Sequence, residues 1–385
     1  MSLLKTNRTT APQAPKTKTR EWADSLIFAI VAATLIRWAT FEAYTIPSPS
    51  MENSLLVGDY LFVSKLHYGP ITPQTPLQVP LTHQTVWGTA LKSYSELIQL
   101  PTYRLPGFSE IKRNDVVVFH VPHESQFPAD LRTNYIKRCV AVAGDTLEIR
   151  EGRVFLNGKP GETPPGLQTN YFMQVDNPND EVVAALKAQG VVDYPQPGGL
   201  PQAIMAQDGR LGYGIAATQS AYDYFRKQPY VKSMEVLEPQ TDLLFPDKAD
   251  HGNTNAMSAT KRGWTVDTYG PLPIPKKGQT ITLTPGNAAI YFKIVARYER
   301  NAGVTWNNED GMIYQNGQKL TSYTVKQNYY MMMGDNRHNS EDSRFWGFVP
   351  EDHVVGKAVL IWLSVDPNAG FWNKIRWNRL FNIIH

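Results

Sequence analysis

Tyr135-Ile136-Lys137-Arg138-Cys139-Val140-Ala141-Val142-Ala143-Gly144-Asp145-Thr146-Leu147-Glu148-Ile149 reads as two strands about a turn. β-branched and aromatic residues favour a pleated, half-buried surface, and Gly144-Asp145 supplies the turn. Alternation along a strand sends Lys137 and Arg138 to opposite faces, which suits one buried amine and one solvated or ion-paired guanidinium. Cys139, the only cysteine in 385 residues, reads as a small buried hydrophobe rather than a nucleophile, and it excludes an internal disulfide or a cysteine-based zinc site.

Outward from this stretch, Tyr60–Val63, Val116–Phe119 and Val355–Leu363 read as further strands. Gly152–Lys159 and Gly311–Gln318 echo each other, each an apolar strand ending in Asn-Gly, the strongest short hairpin signal. The echo fits a duplication or two ordinary hairpins. Residues 71–110, punctuated by five prolines, read as an irregular excursion with a short helix near Thr89–Leu100. Residues 160–310 are rich in Gly, Pro, Gln and Asn and read as a β-rich insertion. A helix at Asp180–Gln189 is expected there, capped by Asn179 and stopped at Gly190. Strands are expected at Trp264–Asp267, Thr280–Leu283 and Ala289–Ile294.

The N-terminus differs in kind. Lys5, Arg8, Lys16, Lys18 and Arg20 make residues 1–21 a basic tail, expected to be disordered. Leu26–Ile36 is uncharged and apolar, and Trp22–Phe41 is about long enough to cross a bilayer. Trp22 and Trp38 suit the two interfaces, and Arg37 can snorkel at the far end. Ala39-Thr40-Phe41 makes a poor cleavage site for a removable signal peptide. A buried amphipathic helix is the plainer alternative to a membrane anchor. For an anchor, the basic end places the tail in the cytoplasm and residues from about 42 onward outside. A net charge of +3 argues against nucleic acid as a partner. The C-terminal residues 371–385 interleave basic and aromatic side chains and suit either a lipid-touching helix or an end packed on the core.

Three polar islands remain: Pro47-Ser48-Pro49-Ser50-Met51, Tyr135-Ile136-Lys137-Arg138, and Gly334–Arg344. Taken singly they are a turn, a strand-edge lysine and a salt-linked surface loop. No Gly-x-Ser-x-Gly elbow exists, and no histidine stands in an obvious triad setting. A serine with a lysine base is the remaining chemistry. It requires the amine to be neutral, which burial among apolar neighbours favours.

Together these islands resemble the motifs of the bacterial type I signal peptidases (leader peptidases), a Ser–Lys endopeptidase family. The residues that carry the resemblance are Ile46–Met51 with Leu55–Asp59, Asn114–Phe119, Tyr135–Val140 with Gly144-Asp145, and Gly334–Arg337 with Asn339-Ser340, Asp342–Arg344, Trp346-Gly347 and Val354–Gly356. They stand in family order directly after one apolar segment. The resemblance implies Ser50 as acylated nucleophile and Lys137 as general base. The Ser50 N–H and the Ser48 hydroxyl would form the oxyanion hole, and Ser340 would orient the lysine. The Asp342–Arg344 and Asp335–Arg337 ion pairs would hold the loop, and Met51 would help shape the substrate groove. It implies a mainly β fold: a transmembrane helix at 22–41, a catalytic core at 42–160 and 311–385, and a β-rich cap inserted at 161–310. It further implies cleavage of secretory preproteins after small residues of the Ala-x-Ala type, with no metal or organic cofactor. The expected setting is the bacterial inner membrane, crossed once, with the lipid bilayer and the protein export machinery as partners. Asn53-Ser54 stands where the family usually has Pro-Thr, and His338 where it often has Asp; a surface role without function is the expectation for His338. The competing readings are a self-cleaving repressor-type Ser–Lys protease and a non-catalytic, membrane-anchored β-rich interaction module.

Overall fold

The computed structural model describes residues 17–193, 201–246, 257–370 and 373–385. Most of the expected basic tail lies outside them. Helix α1, Lys18–Ala39, has a mean hydropathy of 1.4 over its most apolar window and none of that window is buried in the protein. Its length and composition suit a membrane crossing. It runs into strand β1 (Phe41–Thr45), which pairs antiparallel with β2 (Asp59–Ser64). The segment between these two strands carries Ser48 and Ser50.

Around this hairpin lies the main sheet. Its order is β1, β2, Val354–Ser364, β3 (Val116–His120), β4 (Asn134–Ala141), Tyr329–Met333 and Val349–Pro350. The register is set by apolar residues alternating between two buried faces. Val116 and Val118 pack with Ile46, Met51, Leu55 and Leu61, while Val117 and Phe119 pack with Tyr68, Cys139 and Met332 on the other. Asn382–Ile383 adds to the sheet beside Val354–Ser364, so the C-terminal segment packs by strand pairing and not as a helix.

Strands β5 (Thr146–Arg150), β6 (Arg153–Leu156) and β7 (Lys159–Pro160) extend the opening stretch into a meander. Both Asn-Gly turns are as expected: Asn157 and Gly158, like Asn316 and Gly317, all have positive φ, the two-residue turn that matches strand twist. The meander shares its core with Tyr269, Leu272, Ile290, Ile313 and Met331.

The stretch 161–310 is in two parts. Residues of β8 (Gln168–Val175), Leu211–Thr218 and Val231–Val236 form a sheet with its own core, in which Met173, Tyr213 and Ile215 meet Val182 and Leu186 of helix α2 (Asp180–Ala188). Asn179 caps that helix by accepting from the Val182 N–H, and Gly190 has φ +68 just past its end. Residues beyond 257 join the core of the β5–β7 meander instead.

Three expectations are corrected. Ala289–Ile294 lies largely in a helix, Ala288–Lys293. Five of its six residues are buried, so an apolar run without helical periodicity resembled a strand. Trp264–Asp267 is a turn closed by Thr265 and Thr268, and the strand begins at Tyr269. No helix forms at Thr89–Leu100. There the chain doubles back in isolated bridges, Gln78 to Tyr94 and Thr85 to Lys92, and Ser93 and Ser95 hydroxyls bond to the backbone in competition with helix.

Candidate active site

Pro47 and Pro49 fix the approach to Ser50. Ser48 precedes a proline and is extended (φ −132°, ψ 154°), and Pro49 opens a single 3-10 turn, Pro49–Met51. Ser50 is half-buried and Ser48 exposed, with their hydroxyls 3.5 Å apart. Met51 is fully buried below, so it supports the serine rather than lining an open wall.

Lys137 comes from β4, opposite Val117 of β3. It is 4% exposed. Its Nζ lies 2.8 Å from Ser50 Oγ and 3.1 Å from the Ile136 carbonyl, over the Tyr135 ring. Burial pulls its pKa down to about 8, against the opposing pull of Asp342, Glu341 and Asp335. The sequence separation of Ser50 and Lys137 is bridged because the turn after β1 lies against β4.

The loop after Tyr329–Met333 closes the site from the other side. Asn336 donates its backbone N–H to the Ser50 carbonyl (3.1 Å) and its Nδ2 to the Pro49 carbonyl (3.2 Å). The Asp335 N–H meets Met51 Sδ at 3.4 Å. A Cβ on Gly334 would overlap Ser340 Oγ and the Ser50 carbonyl, so only glycine fits there. Ser340 Oγ is buried and has no hydrogen-bond partner among the described residues; it packs on Gly334 without bonding to Lys137. Asp342 and Arg344 pair as expected (2.8 Å), both almost fully buried, and Asp342 also accepts from the Gly334 N–H.

Asp335 does not pair with Arg337. Its carboxylate is held by Arg138, with Nε and Nη2 at 2.7–3.1 Å, and accepts from Ser54 Oγ at 2.5 Å. Arg138 stands beside Met333 in register, which aims its fork at the residue two further on. Strand alternation correctly separates Arg138 from Lys137, yet 197 residues of intervening chain hide its partner from sequence reasoning.

The two family departures have structural consequences. Asn53 sits at φ +69°, in the left-handed region that asparagine tolerates and a proline ring forbids. Its Nδ2 donates to Gln168 Oε1 (2.7 Å) at the start of β8. His338 is not a surface residue. Its side chain is fully buried, Nδ1 accepting weakly from the Asn170 N–H (3.4 Å) and Nε2 facing Asp267 at 2.9 Å. This tautomer follows from the hydrogen-bond network. Gln168 pairs with both flanks of Asn336, donating to Asp335 O and accepting from Arg337 N. The inserted sheet is thereby stitched to the loop that backs Ser50. Asparagine and histidine at positions 53 and 338 were visible as departures; their partners on the insertion were not.

Among the described residues, no group of three or more His, Cys, Asp or Glu side chains is placed to hold a metal ion.

A sequence profile described as "Signal peptidase, peptidase S26" matches residues 19–193 and 276–363, omitting only the middle of the insertion and the ends. Curated relatives bear the name Signal peptidase I. The protein of Rickettsia felis is 29% identical over 96% of this chain and 94% of its own. That of Aquifex aeolicus is 26% identical over 88% of this chain and 82% of its own, and that of Buchnera aphidicola from Acyrthosiphon pisum 26% over 92% and 78%. An apolar N-terminal helix, a β-rich domain and a match across more than half of the chain together place the protein in the signal peptidase, peptidase S26 family, as a peptidase.

Proposed function

We propose that the chain removes N-terminal signal peptides from exported preproteins, with Ser50 as nucleophile and Lys137 as general base. The observation that carries this reading is the 2.8 Å contact between Ser50 Oγ and a buried lysine amine whose pKa falls to about 8. Neutral Lys137 Nζ takes the proton from Ser50 Oγ as the oxygen attacks the scissile carbonyl. The Ser50 N–H and Ser48 hydroxyl stabilise the oxyanion that forms. The lysine ammonium then gives its proton to the leaving amine as the C–N bond breaks. Lys137 next accepts a proton from water, whose oxygen attacks the acyl ester, and returns it to Ser50 as the free carboxylate leaves. Ser340, buried and unpartnered in the free protein, becomes a partner for the lysine as the complex tightens; catalytic hydrogen bonds are often unmade before substrate binds.

Helix α1 anchors the chain in the bacterial inner membrane, tail inward and the β-rich domain outward. Only β1 and one turn separate the end of α1 from Ser50, a short path that supports a nucleophile acting near the bilayer surface, where a signal peptide's cleavage end arrives. Small residues of the Ala-x-Ala type before the cut are what the family resemblance implies, and shallow apolar pockets beside Ser50 would accept them. The detergent-solubilised protein is expected to process a preprotein carrying such a site, with cleavage lost in Ser50→Ala and in Lys137→Ala. Equal cleavage by either variant, or none by folded wild type, overturns the assignment.

A further inference from the structure

Three buried arginines, Arg138, Arg337 and Arg344, meet at the loop around Asn336, where two buried carboxylates, Asp335 and Asp342, stand among them. Asp335 is taken by Arg138 and Asp342 by Arg344. Arg337 is left over. It is 5% exposed, and among the described residues its Nε has no hydrogen-bond partner and its guanidinium enters no ion pair. Its backbone is fully used, accepting from Arg344 Nη2 and donating to Gln168 O, so the residue is held in place while its guanidinium touches no carboxylate directly. A buried charge with no direct ion pair is costly: burial and the neighbouring Arg344 and Arg138 work against it, and the carboxylates of Asp335 and Asp342, already bound to those arginines, offset this only in part.

Arg337 lines a cavity of about 490 Å³ that includes neither Ser50 nor Lys137. Val140, Val154 and Leu156 give it apolar walls, and Lys159, exposed on β7, stands on its lining. Glu162, its one acidic lining residue, accepts from Asn114 Nδ2 at 2.9 Å, and Arg113 is already paired with Asp145. With Arg113 set against Asp145, Arg337 and Lys159 outnumber Glu162, whose charge a neutral amide leaves in place, so the net charge of this concavity is positive. A guanidinium's planar fork matches a carboxylate or phosphate, and the volume suits a small molecule.

We propose that this cavity binds a small organic anion, a carboxylate or phosphate head on an apolar body, with Arg337 as its anchor and Lys159 as the second cation. The test is calorimetric titration of the full chain in detergent with benzoate, phenyl phosphate and benzyl alcohol, at constant ionic strength set by chloride. Saturable binding of benzoate or phenyl phosphate is expected, the tighter of the two naming the head group, with none for benzyl alcohol. Lys159→Glu, a reversal at an exposed site, should weaken binding on the order of tenfold. Arg337→Lys should weaken it further by losing the fork. No saturable binding of either anion, equal binding of benzyl alcohol, or undiminished binding by Lys159→Glu overturns the proposal.

Discussion

Burying Lys137 opposes stability and, in the proposed mechanism, serves chemistry. A free lysine titrates near 10.4. In the fold this amine falls to about 8. Between those values the unfolded chain holds more protons at this site than the folded one, so stability at this group rises with pH across that window. Below about pH 8 the folded protein carries the full cost of a buried ammonium. Lys137→Met should therefore raise the unfolding free energy read by urea titration at pH 7, by on the order of 1–3 kcal/mol, while abolishing cleavage; an unchanged or lower value contradicts the burial cost. The Arg138–Asp335 pair makes the opposite point. Both partners are buried and mutually satisfied, so Asp335→Asn leaves an uncompensated guanidinium and should cost about 3–5 kcal/mol in the same titration. A loss too small to measure would show that the pair is not structural. Strand alternation made the separation of Lys137 from Arg138 legible in the sequence. The contact with Ser50 followed from family resemblance, since a lysine on an apolar strand names no partner. The family resemblance implied an Asp335–Arg337 pair; the long guanidinium of Arg138 on the adjoining strand reaches that carboxylate instead.

At the scale of elements, the loop behind Ser50 is held by what abuts its backbone. Gly334 has Ser340 and Ser50 packed on its α-carbon. Gly334→Ala should displace one of them and reduce kcat/KM by on the order of a hundredfold with the fold retained, given how steeply rate depends on placement; near-normal turnover contradicts the packing. His338 and Asp267 tie the same loop to the segment before Tyr269. His338→Ala removes a buried partner from both Asp267 and the Asn170 N–H and should destabilise by about 1–3 kcal/mol in thermal or urea unfolding. The sequence marks strands well where alternation is strict, as in β3 and β4, and marks helix α2 by its cap and stop. It fails at Ala288–Lys293, where burial on nearly every side erases the period that separates helix from strand. It also misses the joint between insertion and loop, which rests on single contacts such as Asn53 to Gln168.

Across the whole molecule, α1 and the β-rich domain divide the work of anchoring and chemistry. Cys139 is fully buried and its thiol pKa is pushed up by that burial, so it stays silent to maleimides and single reporters can be placed elsewhere. In intact cells an impermeant maleimide should label a cysteine at exposed Lys159 and not one at Lys18; the reverse pattern contradicts the orientation. Strand order and the shared core of residues 140–156 with 269–331 bring Ser50, Lys137 and Gly334 together from three distant segments. The central claim is that a neutral lysine amine takes the Ser50 proton. It is tested most directly by kcat/KM for preprotein cleavage against pH, which reports the free enzyme's essential groups. The rate should rise with pH and reach half its plateau near the Lys137 value of about 8. A profile flat from about pH 6 to 9, or the same rising limb retained in Lys137→Ala, would contradict it.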